Sequence, residues 1–545
     1  MYPKWKFLIV ILMTASVLLS SCASQTATPA PATATSAPAV ATSAPVAATS
    51  APVLTPTATV PPRGDVLTIA IAIAPPSLDP GVGEPSFEEF ITPAYDALLK
   101  IDPTDGKIIP SLAVSWQWVG TDFKTFEMEL RPNVSFSDGT VFDAAAVKTW
   151  LEYQKANASV TASNIGLDTA EVTGPLSITL HLAQPNVMLP IFLTRGWISG
   201  AIACPAAVTK PDLVKTATCG AGPYMLDAAN TVTADTYTYI PNPHYWNPDA
   251  IHWNKLVLKV LASAQSGLDA LQTGQVQVVA PADASIIDAG VADGMILSGV
   301  EQNVQGLDFL LKDGTDVPAL GDVRVRQALN YAIDRTALAK VLGGGKGRPV
   351  SSEFLPGGDA YDATLDNYYP YDVTKAKALL AAAGYANGFK VTILSIPVGG
   401  LDSLAQAVAT YWGAIGVTTT IDTKTSASDY IGGTTSGKYA GNVAALGTVT
   451  PILTLWKCCI MPGSFWNGDK TVAPELQGLI DQISKTDIEN SAPIAQQVNK
   501  YLTENAWYVP VASAKQYLLY APGITGGEAT PFDPTVNILE IVPSK

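Results

Sequence analysis

Between Ala23 and Pro62 the chain carries no charged residue. Apart from Gln25 and Leu54 the segment is built from Ala, Thr, Pro, Ser and Val, and it repeats as ATSAPAV, ATSAPVA and ATSAPVL, with Ser36, Ser43 and Ser50 seven residues apart. No apolar side chains recur at helical or strand spacing, so burial cannot offset the entropy of ordering, and the segment is expected to stay disordered. As a coil it would span roughly 35 Å, and in extended polyproline II roughly 120 Å. The repeat is too short and its side chains too small to stack as a solenoid. Whatever packs in this chain therefore begins near Arg63.

The residues before the segment read as an export signal. Lys4 and Lys6 precede thirteen almost wholly apolar residues, Phe7 to Leu19. That run is shorter than the ~20 residues a membrane-spanning helix needs, and its basic start and small-residue end fit a cleaved signal, residues 1–21. Leu19-Ser20-Ser21-Cys22 resembles a bacterial lipobox, which implies cleavage before Cys22 and acylation of its thiol. With ~0.8 kcal/mol per buried methylene, two or three chains hold a protein stably on a bilayer. Residues 22–63 then read as a lipidated cysteine and a tether.

About 480 residues remain, enough for two or three domains. Hydrophobic content of 48% with 14% charged residues suits an exported globular body. Net charge of −15 gives no electrostatic reason to bind nucleic acid and slightly favours cationic ligands. Four cysteines follow Cys22 and allow three pairings. The simplest joins Cys204 to Cys219, closing a loop worth ~3 kcal/mol. The adjacent Cys458 and Cys459 leave two readings open, a vicinal disulfide or two free buried thiols.

Motifs for catalysis are absent. The three histidines, His181, His244 and His252, form no HExxH, and there is no CxxC or GxSxG. The spacing of His244 and His252 does not put both rings on one helix face. Gly343–Gly347, GGGKG, lacks the Ser or Thr that follows lysine in a phosphate loop. No metal and no cofactor are expected.

The body is well punctuated. KTFEMEL, Lys124–Leu130, alternates as a strand does, and Asp143 can cap a helix with Val147, Trp150 and Leu151 on one face. In LGDVRVRQALNYAIDRTALAKVLGGG, Leu320–Gly345, Asp322 can cap a helix whose Val325, Ala328, Leu329, Ala332 and Ile333 share a stripe. Asp334 can cap a second helix ending at Gly343, and Asp372 a third with Ala376, Leu379, Leu380 and Ala383 inward.

The wording and order of these stretches resemble the family-5 extracellular solute-binding proteins, the peptide/nickel-type receptors of ABC importers. CGAGPYML (219–226), NPHYWNPDAIHWNKLVLKVL (242–261) and NAWYVPV near the end add to the likeness, which covers about 64–545. The resemblance implies an α/β, bilobed, periplasmic-binding-protein-like fold of the large three-domain type. Domain I would comprise 64–86, 207–306 and 513–545, with domain II at 87–206 and domain III at 307–512. Ligand would bind between the lobes and be enclosed by hinge closure. The partners implied are ABC permease subunits and, through Cys22, the cell membrane on its extracytoplasmic side; a monomer is expected, and no enzyme.

In peptide-binding members of the family, a domain III strand ends in a Gly-Trp-x-x-Asp-like run whose acid pairs with the peptide ammonium. The counterpart here has Gly447 for the glycine, Thr448 for the tryptophan and Thr450 near the acid, with no acidic residue from Tyr430 to Leu455. Ser77 and Asp79 after the first strand, Arg195 and Trp197 in TRGWISG, and Trp456 complete the expected ligand contacts. Arg324 and Arg326 are expected to pair structurally. Peptide is the expected ligand. The missing acid and eleven tryptophans favour an oligosaccharide or glycoside as the alternative. A secreted hydrolase, or a signalling receptor using the same cleft, stands behind both.

Overall fold

The structure, a computed structural model, describes residues 63–82, 87–157, 159–398, 400–447, 451–464, 467–471, 473–532 and 536–544. The expected signal, Cys22 and the tether lie outside the described residues, as do Thr448 and Thr450. Among the described residues no helix is long and apolar enough to cross a membrane.

β1 (Leu67–Ile71) is almost continuously apolar and buried, as a strand covered on both faces must be. A short hairpin follows, β2 (Leu99–Ile101) with β3 (Ile108–Pro110). Next come β4 (Ala113–Trp118) and β5 (Thr125–Leu130), whose Phe126, Met128 and Leu130 point inward in strict alternation. Helix α1 (Ala144–Ala156) starts where Asp143 accepts a bond from the Ala146 amide at 2.8 Å, and it buries Val147, Trp150 and Leu151. β6 (Leu167–Val172) and β7 (Ser177–Leu182) complete an antiparallel sheet of order β4-β5-β7-β6.

Beyond it, Cys204 and Cys219 form a disulfide with Cα atoms 5.5 Å apart, beside a β-bridge between Ala203 and Gly220. Cys459 is disulfide-bonded too, which removes the reading of two free thiols.

The large sheet then assembles from β8 (Tyr224–Leu226), β9 (Thr236–Pro241), β10 (Leu256–Val260), β11 (Val278–Ala282) and β12 (Ile296–Phe309). Helix α2 (Val323–Tyr331) is capped by Asp322, and its Val325, Ala328 and Leu329, with Ala332 and Ile333 just beyond, are fully buried. Helix α3 (Arg335–Ala339), capped by Asp334, stops short of the expected Gly343; a 3₁₀ turn over Leu342–Gly345 replaces its end, because three glycines hold helix poorly. In α4 (Val373–Ala382), Ala376 and Leu380 are buried, whereas Leu379 and Ala383 are only half-buried. Then come β13 (Lys390–Ser395), α5 (Leu401–Gly413), β14 (Thr418–Thr423), β15 (Gly441–Gly447), the single turn α6 (Ile452–Leu455), α7 (Ala492–Glu504) and β16 (Tyr508–Tyr520).

The ten strands run β14-β13-β15-β12-β16-β11-β1-β10-β9-β8. Within this sheet, β14-β13-β15 joins β11-β1-β10-β9-β8 only through the long pair β12 and β16. The β12–β16 ladder slips between Glu301 and Asn303 and again between Gln305 and Gly306. Such slips bend and twist a strand pair locally. Before the first slip β16 meets β11, and from Asn303 onward, across the second, β12 meets β15.

Candidate functional site

A cavity of about 1040 Å³ opens between two walls, at the upper end of the ~300–1,000 Å³ typical of small-molecule sites. One wall is the β2–β3 hairpin with the turn Arg195–Trp197; the other is the loop Gly357–Tyr361, Pro451 and the start of α7. The C-terminal segment closes one side through Phe532 and Leu539.

Arg195 and Trp197 both line the cavity. They share a 3₁₀ turn whose Ile198 takes a left-handed φ of 49°. The Arg195 Nη1 donates to the Val536 carbonyl at 3.4 Å and lies 3.9 Å from the buried Glu88 carboxylate. Burial pushes the neighbouring Glu89 carboxyl up, to about 7, while the Arg195 charge pulls it back down. Trp197 is held edge-on against Phe192, ring centres 5.0 Å apart.

Ser77 and Asp79 are not brought to the cavity. The buried Asp79 spends its carboxylate on the Gly81 amide (2.8 Å) and the Tyr153 hydroxyl (2.9 Å), tying the turn after β1 to α1, and Ser77 Oγ accepts from the Asp79 amide. Desolvation raises the Asp79 pKa, and those bonds oppose it. Gly447 ends β15 opposite Asn303, and the chain reaches the cavity again at Pro451. Trp456 is half-buried in the turn after α6, away from the lining. The expected structural roles of the two arginines are visible: Arg326 donates to the carbonyls of Leu320, Asn505 and Ala506, and Arg324 to Asp322.

Asp359 had no signal in the linear sequence. It follows Gly357 and Gly358 in a loop whose Gly357 has φ +97°, where a Cβ would meet the Pro531 carbonyl at 1.9 Å. Helix α7 fastens the loop: Asn499 donates to the Ala360 carbonyl and Gln496 to that of Tyr361. The partly buried Asp359 carboxylate accepts from the Ile452 amide at 3.1 and 3.2 Å, and burial pushes it up to about 7. Only the glycines of the PGGD loop hint at a tight turn; nothing local places it beside residue 452.

The lining carries six carboxylates, Asp96, Asp105, Asp359, Glu489, Glu528 and Glu540, against Lys100, Lys107 and Arg195 as permanent cations. His252 also lines it, its pKa lowered by burial with Glu540 opposing. Among the described residues, the one His/Cys/Asp/Glu group close enough to share a metal is Asp138 with Cys204 and Cys219, whose sulfurs are already joined to each other.

The family described as bacterial extracellular solute-binding proteins, family 5 middle region, matches residues 107–451. The glutathione-binding protein GsiB of Escherichia coli K12 is 30% identical over 313 residues, 55% of this chain and 58% of GsiB. The alignable part thus spans less than two thirds of that relative. HbpA2 of Haemophilus parasuis superposes with a TM-score of 0.77 at 20% identity, covering 88% of this chain and all of that one. DppA of Helicobacter pylori, solved with the peptide STSA, gives 0.67 at 19% identity over 89% and 99%. At such identities the superpositions speak to the fold, which is that of the bilobed periplasmic binding proteins.

Proposed function

Because the chain belongs to the bacterial extracellular solute-binding proteins of family 5, we propose that it is the extracytoplasmic receptor of an ABC importer, taking a peptide or peptide-like ligand into the cavity between its walls. The observation that carries this reading is the cavity itself, placed where Arg195 and Trp197 face the Gly357–Tyr361 loop. Capture would proceed by closing the walls about β12 and β16, the pair that alone links the two parts of the large sheet and whose ladder slips at Glu301 and Gln305. Closure removes water, so a few placed polar groups then act in a drier medium. No reaction on the ligand is part of this reading.

The names of GsiB, glutathione-binding, and of DppA bound to a peptide support peptide over sugar. So does the lining: among the described tryptophans only Trp197 reaches it, and its six carboxylates and three permanent cations suit a ligand with charged ends. In this reading 64–86, 207–306 and 513–545 form domain I, 87–206 domain II and 307–512 domain III. Native mass spectrometry of the protein purified without denaturant tests the ligand class. Retained masses spaced by amino-acid residues are expected; hexose or pentose spacings would replace peptide with glycan.

The lipobox-like Leu19–Cys22 supports a lipid anchor, with residues 23–62 as the tether. Cys22→Ala is expected to move the protein from the membrane pellet to the soluble fraction on cell fractionation. A variant that stays in the pellet with its signal removed contradicts the anchor, since an unprocessed signal would hold it there through Phe7–Leu19.

A further inference from the structure

We propose that Asp359 is the cation anchor of the cavity, so that the ligand presents a protonated amine to this carboxylate beside the first residue of α6. The inference rests on the receptor reading above and narrows its ligand.

The argument is one of elimination among the six lining carboxylates. Asp96 is buried but already accepts from the Tyr245 hydroxyl and the Trp246 indole at 3.1 and 2.9 Å. Asp105 is paired with Lys107. Glu489, Glu528 and Glu540 are exposed, where water screens them and a new ion pair gains little. Asp359 is the remaining one. It is partly buried, its only hydrogen-bond partners are backbone amides, and no lysine, arginine or histidine among the described residues pairs with it. Its two oxygens accept from the backbone amides of Ile452, Ala360 and Asp359 itself, all neutral donors, whereas a carboxylate offers about four acceptor sites. Asp359 itself lines the cavity together with Gly357, Gly358 and Tyr361 of its loop.

A purely structural reading does not account for the charge. Accepting from backbone amides, here at the start of a four-residue helix and within the loop, needs an oxygen, which asparagine supplies without desolvating a carboxylate. An uncompensated carboxylate at a cavity wall is costly in the empty state and gains most when a cation arrives. An ammonium group fits: it brings the missing charge and donors that the free lone pairs can accept. The facing wall carries Lys100, whose ammonium makes no ion pair or hydrogen bond among the described residues, so a ligand with its anionic end there and its amine at Asp359 would be held at both ends.

The test is calorimetric titration of the full chain at pH 8 with tetra-alanine and with N-acetyl-tetra-alanine, for wild type, Asp359→Asn and Asp359→Glu. Wild type is expected to bind the free-amine peptide at least tenfold more tightly than the acetylated one. Asp359→Asn keeps an oxygen for the Ile452 amide and should bind both alike. Asp359→Glu keeps the charge and should retain part of the preference, and binding of both peptides by Asp359→Asn shows that its lost preference is not loss of the fold. Equal binding of the two peptides by wild type, or an undiminished preference in Asp359→Asn, overturns the anchor while leaving the peptide reading standing. Binding of neither peptide together with binding of cello- or xylotetraose overturns both.

Discussion

Arg335→Met is expected to destabilise the protein by about 4 kcal/mol or more, while Arg324→Met, eleven residues earlier in the same sequence motif, changes it by less than ~1 kcal/mol. Arg335 is buried, and no carboxylate pairs with it among the described residues. Its guanidinium donates instead to the carbonyls of Val350 (3.0 Å), Pro510 (2.7 Å), Asn330 (2.9 Å) and Tyr369 (3.1 Å), and to Asn330 Oδ1 (2.7 Å). One side chain thereby joins α2, α3, the approach to α4 and the long strand β16. Burial pushes its pKa down, to about 10, yet it remains charged at neutral pH. Methionine fills the space but strands several carbonyls in a dry site, each worth ~1–3 kcal/mol. Arg324 sits half in solvent against Asp322, where an ion pair contributes little. Urea unfolding followed by tryptophan fluorescence reads both variants, since Trp412 is fully buried and bonds the Leu329 carbonyl of α2. Similar midpoint shifts for the two would refute the assignment.

The affinity for a free-amine peptide should fall roughly 30- to 100-fold between pH 8 and pH 5. Burial holds the empty-site Asp359 carboxyl at about 7, and an ammonium beside it would lower that value. Binding below pH 7 therefore expels a proton and weakens by up to about tenfold per pH unit. On its own wall Asp359 is joined by Tyr361 and the exposed Glu489. Across from it lie Asp105, Lys100, Lys107 and Arg195, and Asp96, His252, Glu528 and Glu540 also line the cavity. His252, with its pKa lowered by burial, gains charge only in acid, and that charge repels an amine, so it acts with the same sign.

Stability runs the other way. A carboxyl raised from 3.8 to about 7 in the folded state contributes stability below pH 3.8 that is lost as pH rises through 7. Asp359→Asn should accordingly stabilise the empty protein at pH 8, by ~1–2 kcal/mol after allowance for partial solvent screening, and leave it unchanged at pH 4. Flat affinity across pH 5–8 in wild type would remove Asp359 from the binding step.

The sequence by itself determined what is decided within one or two turns of chain. Asp143, Asp322, Asp334 and Asp372 cap helices because a side-chain oxygen need only reach an amide two or three residues on. The buried stripes of α1 and α2 follow from the helical period, and alternation in Thr125–Leu130 fixes the inward face of β5. The family motif pointed to Arg324 and Arg326 but gave no sign that Arg335, which ends the same run, is the one sealed in the core. The helix begun at Asp334 ended early, in a 3₁₀ turn over the glycines that follow it.

Tertiary structure alone decided the site. Asp79 looked placed for ligand until Tyr153 of α1 claimed its carboxylate. Asp359, a partly buried acid that lines the cavity, meets Ile452 across 93 residues of sequence. No local rule encodes that meeting: it depends on α7 clasping the loop and on Pro531 lying against Gly357, contacts whose partners are distant in the chain. Caps and periodicities are short-range consequences of backbone geometry, whereas a cavity is the space left between elements after they have packed, and its chemistry belongs to whichever side chains end up facing it.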